Sequence, residues 1–336
     1  MVNHLLWIGS YAKKEEPGIY KVMVDTDAEA IALKNRYSGV ENPSFLAEAG
    51  GFLYAASESM DGKAAFFQVQ SDSLELKGTA DSGEMGPCHI YAEDTYVWTA
   101  NYGGSVTKYE RSGETLARTA FSKHEGATGP NEERQDGPHV HSVVPFPDGK
   151  HLLVCDLGTD TLVVYDKETL AVVKEVQAAP GAGPRMSLFH PEKSVVYVMN
   201  ELDSTVSVYK VGDGGMITHL DTLAGLPDGY NGEHTGADLQ LSPDQRFLWA
   251  TIRGWDGVAV FDLEADGSLS KPRHVKLDGK TPRSFYALKT EPFLVVAFQD
   301  SNELCLYKIE PNGLPTFTGK RLAVTAPVCV IKKGEK

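Results

Sequence analysis

The chain has 336 residues, with 46 acidic against 32 basic side chains and a formal net charge of −14. Such an excess of acid repels phosphodiester backbones and excludes general nucleic-acid binding, and no apolar run approaches the roughly 18 residues that cross a membrane. The opening "HLLWIGSYA" lacks the basic flank of a secretory signal, and Cys88, Cys155, Cys305 and Cys329 stand singly, without disulfide or zinc spacing, which together imply a cytoplasmic protein with reduced thiols.

Taken in chain order, one pattern recurs: a proline or small residue, a compact polar step, then an apolar run. It appears as "NPSFLA" at 42, "GPCHIY" at 86, "GPHVHSV" at 137, "GPRMSLF" at 183, "HTGADLQL" at 234, "TPRSFYAL" at 281 and "APVCVIK" at 326. Counted on Pro43, Pro87, Pro138, Pro184, Gly236, Pro282 and Pro327, the steps are 44, 51, 46, 52, 46 and 45 residues. Each copy continues with runs such as "KHLLVCDLG" and "DTLVVYD", rich in β-branched and aromatic residues and separated by Gly, Asp, Asn and Pro. That is strand-and-turn chemistry, with no helical periodicity of any length.

With a weaker outer run such as "AVVKEVQ", each copy supplies about four strands, the size of a propeller blade. The expectation is an all-β protein, one seven-bladed β-propeller over 1–336 with four antiparallel strands per blade. The last copy stops after one strand and the N-terminus starts with the runs that should follow it, so one blade is expected to be closed by both termini, 326–332 pairing with 5–11. Two packed β-sandwiches would not explain seven equal periods.

In an antiparallel blade the start of the inner strand and the end of the second strand lie on one face. Asn42, His89, His139, His141, Arg185, His234, Asp238 and Arg283 belong to the first class; Glu58, Asn101, Tyr102, Asp156, Asn200, Glu201, Arg253, Gln299 and Asp300 belong to the second. Together they should ring one mouth of the central channel, where a small molecule fits better than a protein surface. His139 and His141, alternate residues of one run, could share a metal, but the arginines expected beside them repel a cation, so no metal or other cofactor is expected.

"ENPSFLA", "GPCH", "ANYGGSV", "HVHSVVPFPDGKHLLVCDLGTD", "GAGPR", "NELDSTVSVY", "SPDQRFLWATIRG" and "PRSF" resemble the lactonase family of seven-bladed propellers, which includes propeller-type 6-phosphogluconolactonases and carboxy-muconate lactonizing enzymes. The resemblance spans nearly the whole chain. It implies a lactone hydrolase of carbohydrate metabolism, in the pentose phosphate pathway, with His141, Arg185, Glu201 and Arg253 as catalytic residues. The family often has histidine after the GPR arginine, where this chain has Met186.

The chemistry is coherent with that set. Opening a lactone needs a base for the attacking water and positive charge where the oxyanion forms. His141 suits the base, arginines would keep it neutral and clamp a phosphate or carboxylate, and Glu201 would orient an arginine or the histidine. His89, His139, Asn101, Asp156, His234 and Arg283 are the candidate substrate contacts. The expected partner is a small, phosphorylated lactone, with no nucleic acid or membrane, in a monomer or weak dimer. Ring closure of a muconate-type substrate and a non-catalytic binding platform remain open alternatives.

Overall fold

The computed structural model describes residues 3–71 and 73–334. Its strands form seven four-stranded antiparallel sheets, six of which follow chain order from inner to outer strand. We number the blades from the N-terminus: blade one spans 3–37 and is completed by Pro327–Lys332, and blades two to seven occupy 43–81, 87–123, 140–177, 184–224, 235–276 and 282–323. The strand Pro327–Lys332 pairs with Asn3–Ser10 in the register Leu6 to Lys332, Ile8 to Val330 and Gly9 to Cys329. The ring is thereby closed by main-chain hydrogen bonds between the two ends, which give blade one the same four strands as the others.

Period-two alternation explains the packing. In the strand His151–Asp156, Leu152 and Val154 turn toward blade three while Leu153 and Cys155 turn toward blade five. Every second strand is thus apolar on both faces, and the interior divides into seven clusters, each lying between two neighbouring blades. Trp7, Trp98 and Trp249 are fully buried in this way. The outer strands, such as Val172–Gln177, are exposed, as the weaker apolar character of "AVVKEVQ" implies. The four cysteines are free and buried, three of them in these clusters.

The inner strands surround the channel, each packed on the next around the full circle. All seven carry the same irregularity: an extra residue interrupts the pairing with the second strand close to the mouth. The residue opposite the end of the second strand is Pro43, Pro87, Val140, Pro184 and Pro282 in blades two to five and seven. Val140, not Pro138, is therefore the structural counterpart in blade four. The extra length of that repeat falls in the connection 124–139, the longest between any two blades.

The residue just before these prolines is left-handed: Asn42 (φ 43°), Gly86 (62°), Gly183 (63°), Thr281 (59°) and Ala326 (36°). This turn delivers the chain into the bulge. It requires glycine at 183, where a Cβ would lie 2.6 Å from Leu202 Cγ, and places strained non-glycine residues beside the channel elsewhere.

Candidate active site

A β-bulge leaves a residue unpaired and re-aims its side chain. Here the re-aimed residues are Ser44, Cys88, His141, Arg185, Asp238, Arg283 and Val328, one from each blade, and all seven line one cavity of about 20 Å³ in the channel. In blade six Ala237 and Asp238 stand opposite the single Thr251, so the strand again gains one residue. A second ring comes from the residue at or just after the end of each second strand, and includes Tyr11, Glu58, Tyr102, Glu201, Arg253 and Gln299.

Glu201 is the hub of one side. Its Oε2 accepts from Arg185 Nε at 2.7 Å and Arg253 Nη2 at 3.1 Å, and lies 3.9 Å from His141 Nε2. Its Oε1 accepts from Arg134 Nη2 at 2.6 Å. Arg185 also donates to Ala237 O, and Arg253 Nη2 to Gly236 O at 2.8 Å. Burial alone would raise the Glu201 carboxyl, yet Arg253, Arg185, His141 and Arg134 together hold it well below the usual carboxylate range. Burial, then the Arg185 charge, holds His141 well below the ordinary histidine value, so its imidazole is neutral, with Nδ1 buried and unpartnered. Burial and the neighbouring Arg185 and Arg283 also depress Arg253, though a guanidinium stays charged at neutral pH.

The other side is sparsely bonded. Arg283 makes one long hydrogen bond, Nη1 to Gln299 Oε1 at 3.5 Å, and its guanidinium lies 5.3 Å from the Tyr11 ring centre. Tyr11 donates to Glu58 Oε2 at 3.0 Å. Asp238 accepts from Leu239 N at 2.9 Å and Phe285 N at 3.2 Å, and burial pushes its carboxyl toward the protonated form. Four guanidinium groups thus stand with three carboxyl groups, Glu201, Glu58 and Asp238, around the channel mouth. The surplus is positive and suits an anion.

The structure brings His141, Arg185, Glu201, Arg253 and Arg283 together and sends the other sequence candidates elsewhere. His139 stacks on Tyr102 with ring centres 4.2 Å apart, and its ring nitrogens meet Tyr102 O at 2.9 Å and Asp136 Oδ1 at 2.8 Å. The extra residue at 141 separates the two histidines, so they do not form the shared pair that strict alternation implies. His89, one residue past its bulge, packs its ring 4.1 Å from that of Phe45; burial lowers its pKa to about 3. Asn101 donates to Ser105 Oγ and Thr107 Oγ1 at 2.9 and 3.0 Å, locking a turn inside blade three. Asp156 accepts from the backbone N–H groups of His139, Gly158 and Thr159, and meets His124 Nδ1 at 2.7 Å. His234 meets Ser204 Oγ at 2.9 Å. Met186 lines the cavity.

Arg134 escaped the sequence reading because it lies in no repeat. Its signal is faint: the lone arginine of the acidic run "NEERQD" in the longest interblade connection. Among the described residues, no group of three or more His, Cys, Asp or Glu side chains is placed to hold a metal ion, and no helix is long and apolar enough to cross a membrane. The arrangement can take a proton at a neutral imidazole and stabilise negative charge beside it.

Comparison with known proteins identifies the fold family. A 6-phosphogluconolactonase of Bacillus subtilis is 30% identical, covering 98% of each chain. A protein from Lactobacillus plantarum superposes with a TM-score of 0.92 at 28% identity, covering 98% of this chain and 99% of that one. The periplasmic gluconolactonase of Pseudomonas aeruginosa superposes with a TM-score of 0.90 at 26% identity, over 98% and 99% of the two chains. The family model described as "Lactonase, 7-bladed beta-propeller" matches residues 5–332, and with it the seven closed blades and the polar channel mouth find their place: the chain belongs to the lactonase family of seven-bladed β-propellers.

Proposed function

We propose that this protein hydrolyses a sugar-derived lactone, 6-phosphogluconolactone foremost, to the open-chain acid. The observation that carries the reading is the pairing, on one cavity, of a neutral His141 with Arg283, a cation held by a single 3.5 Å hydrogen bond. Among the described residues its other neighbours include the Tyr11 ring and the Glu58 charge, so most of its N–H donors remain to meet new negative charge.

The cavity of about 20 Å³ is large enough for one water and far too small for a sugar, so the lactone ring sits at its mouth. Water attacks the lactone carbonyl while His141 takes its proton, and the oxyanion develops toward Arg283. Arg185 and Arg253, which the sequence marked as the clamp, are engaged by Glu201. Their role is to shape the positive field and to keep His141 neutral, while Glu201 fixes both forks in place. Collapse of the intermediate breaks the ring C–O bond, and the departing oxygen is protonated from the imidazolium or solvent.

The name of the Bacillus subtilis relative favours the phosphorylated lactone; that of the Pseudomonas aeruginosa relative supports unphosphorylated gluconolactone as the second reading. A phosphorylated substrate would place the protein in the pentose phosphate pathway, and four unpaired buried cysteines fit a cytoplasmic setting. The test is turnover of freshly generated 6-phosphogluconolactone, gluconolactone and a muconate-type lactone, with spontaneous hydrolysis subtracted. Hydrolysis fastest on the phosphorylated substrate, and unchanged after prolonged chelation, is expected. Ring closure of a muconate, no turnover of any lactone, or a chelation loss restored by a divalent ion would overturn it.

A further inference from the structure

The connection 124–139 is a strap with a defined anchorage. Its two feet are held by one carboxylate: Asp156 Oδ2 meets His124 Nδ1 at 2.7 Å, and Asp156 Oδ1 accepts from His139 N at 2.8 Å. Its tip is a compact turn, with Gln135 N bonded to Asn131 O at 2.7 Å and Asn131 N to Gln135 Oε1 at 3.1 Å. Buried Gln135 docks that turn on blade four by donating from Nε2 to Leu157 O at 2.8 Å. Closed ends and a self-packed tip are the marks of an Ω-loop, a kind of loop that frequently carries function.

Arg134 rides on this tip. Its side chain is 38% exposed while its partner Glu201 is 3% exposed, so it is the outermost of the cations around that carboxylate. It is the sole lysine or arginine between 124 and 139, in a strap that also carries Glu125, Glu132, Glu133 and Asp136. Glu201 already has two cationic partners on Oε2, and its Oε1 takes the third. The fork also contacts the Tyr102 hydroxyl, whose ring lies edge-on to His141 with centres 6.2 Å apart. A guanidinium has five N–H donors, more than these two contacts use.

A phosphorylated lactone presents negative charge at two points, the oxyanion and the phosphate at the far end of the molecule. Two cations at different depths match it: Arg283 on the cavity and Arg134 at the rim. We propose that Arg134 is a specificity-determining residue that binds the distal phosphate monoester of the substrate, with the Asp156-anchored strap setting its position. The proposal rests on the lactonase reading above and names the substrate class within it.

The experiment compares Arg134→Ala and Arg134→Lys with the parent, each checked for an unchanged melting temperature. The parent-normalised ratio of kcat/KM on 6-phosphogluconolactone to that on gluconolactone should fall by roughly ten- to a hundredfold in the alanine variant, mainly through KM, as expected for a charge-assisted hydrogen bond. Lysine should restore part of it. Equal losses on both substrates would overturn the proposal and leave Arg134 as a support for Glu201. Calorimetric titration with 6-phosphogluconate and with inorganic phosphate gives a second readout that needs no turnover. Weaker binding of both by about tenfold or more in Arg134→Ala supports the phosphate site, even if lactone hydrolysis itself fails; unchanged binding overturns it.

Discussion

Two sets of polar side chains lie at the same end of the propeller, a residue apart in sequence and opposite in consequence. Asn101, Asp156 and Asn200 stand at the paired ends of second strands and turn into their own blades. Asn101 and Asn200 bond hydroxyls of the third strand, and Asp156 bonds three backbone N–H groups. Their neighbours Tyr102 and Glu201, like the bulge residues His141 and Arg185, turn to the channel. The first set bonds within its own blade and holds the scaffold, although Asn101 Oδ1 and Asn200 Oδ1 are themselves buried without a partner. What sets the second apart is buried charge, with Arg185, Arg253 and His141 gathered on Glu201, which a scaffold alone would not favour.

Substitutions can break this division. The largest effect is expected at His141: replacing it with alanine should lower kcat/KM on every lactone by about 10² to 10⁴, with little loss of melting temperature because no hydrogen bond to Nδ1 is lost. A large fall in stability with activity retained would move His141 into the scaffold set.

Glu201→Gln comes next. It leaves Arg185 and Arg253 buried without their counter-charge, and removing one partner of such a cluster costs about 3–5 kcal/mol. Urea unfolding should show that loss together with lost activity. The double variant Glu201→Gln, Arg185→Met should recover part of the stability and none of the activity.

Asn101→Ala tests the other set. Losing its two hydrogen bonds should cost about 1–3 kcal/mol, while kcat/KM of the folded enzyme stays within about twofold. A rate loss at unchanged urea midpoint would return Asn101 to the substrate contacts.

The last effect is a slope with pH. An unfolded histidine takes up its proton near pH 6.5, whereas folded His89 does so only near about 3 and folded His141 well below the ordinary value. Between those values the unfolded chain binds more protons, so stability is complete above about pH 6.5 and falls as the pH drops. Each histidine contributes about 1.4 kcal/mol per pH unit to that slope. Glu201 adds to it only below the ordinary carboxylate range. Urea midpoints between pH 7 and 5 should therefore decline, and His89→Leu should make the decline shallower. An unaltered slope would mean that folded His89 takes up its proton like an exposed one.

Much of the fold was legible because it is written locally and seven times. Apolar runs of strand length, turn residues between them and a period near 46 leave little but a ring of blades, and the half-copies at the two ends require each other. The motif resemblance likewise picked out His141, Arg185, Glu201 and Arg253, which the fold brings to one place. What the linear pattern could not carry is side-chain direction at the mouth. Strict alternation sends His139 and His141 the same way, and a place at the end of a second strand does not say that Asn101 and Asp156 turn back into their own blades. A single unpaired residue in each inner strand reverses that parity, and whether a residue is left unpaired depends on the partner strand's register. Arg134 lay beyond the reach of any local rule: its neighbour Glu201 is 67 residues away, and only the closing of the strap by Asp156 sets them 2.6 Å apart.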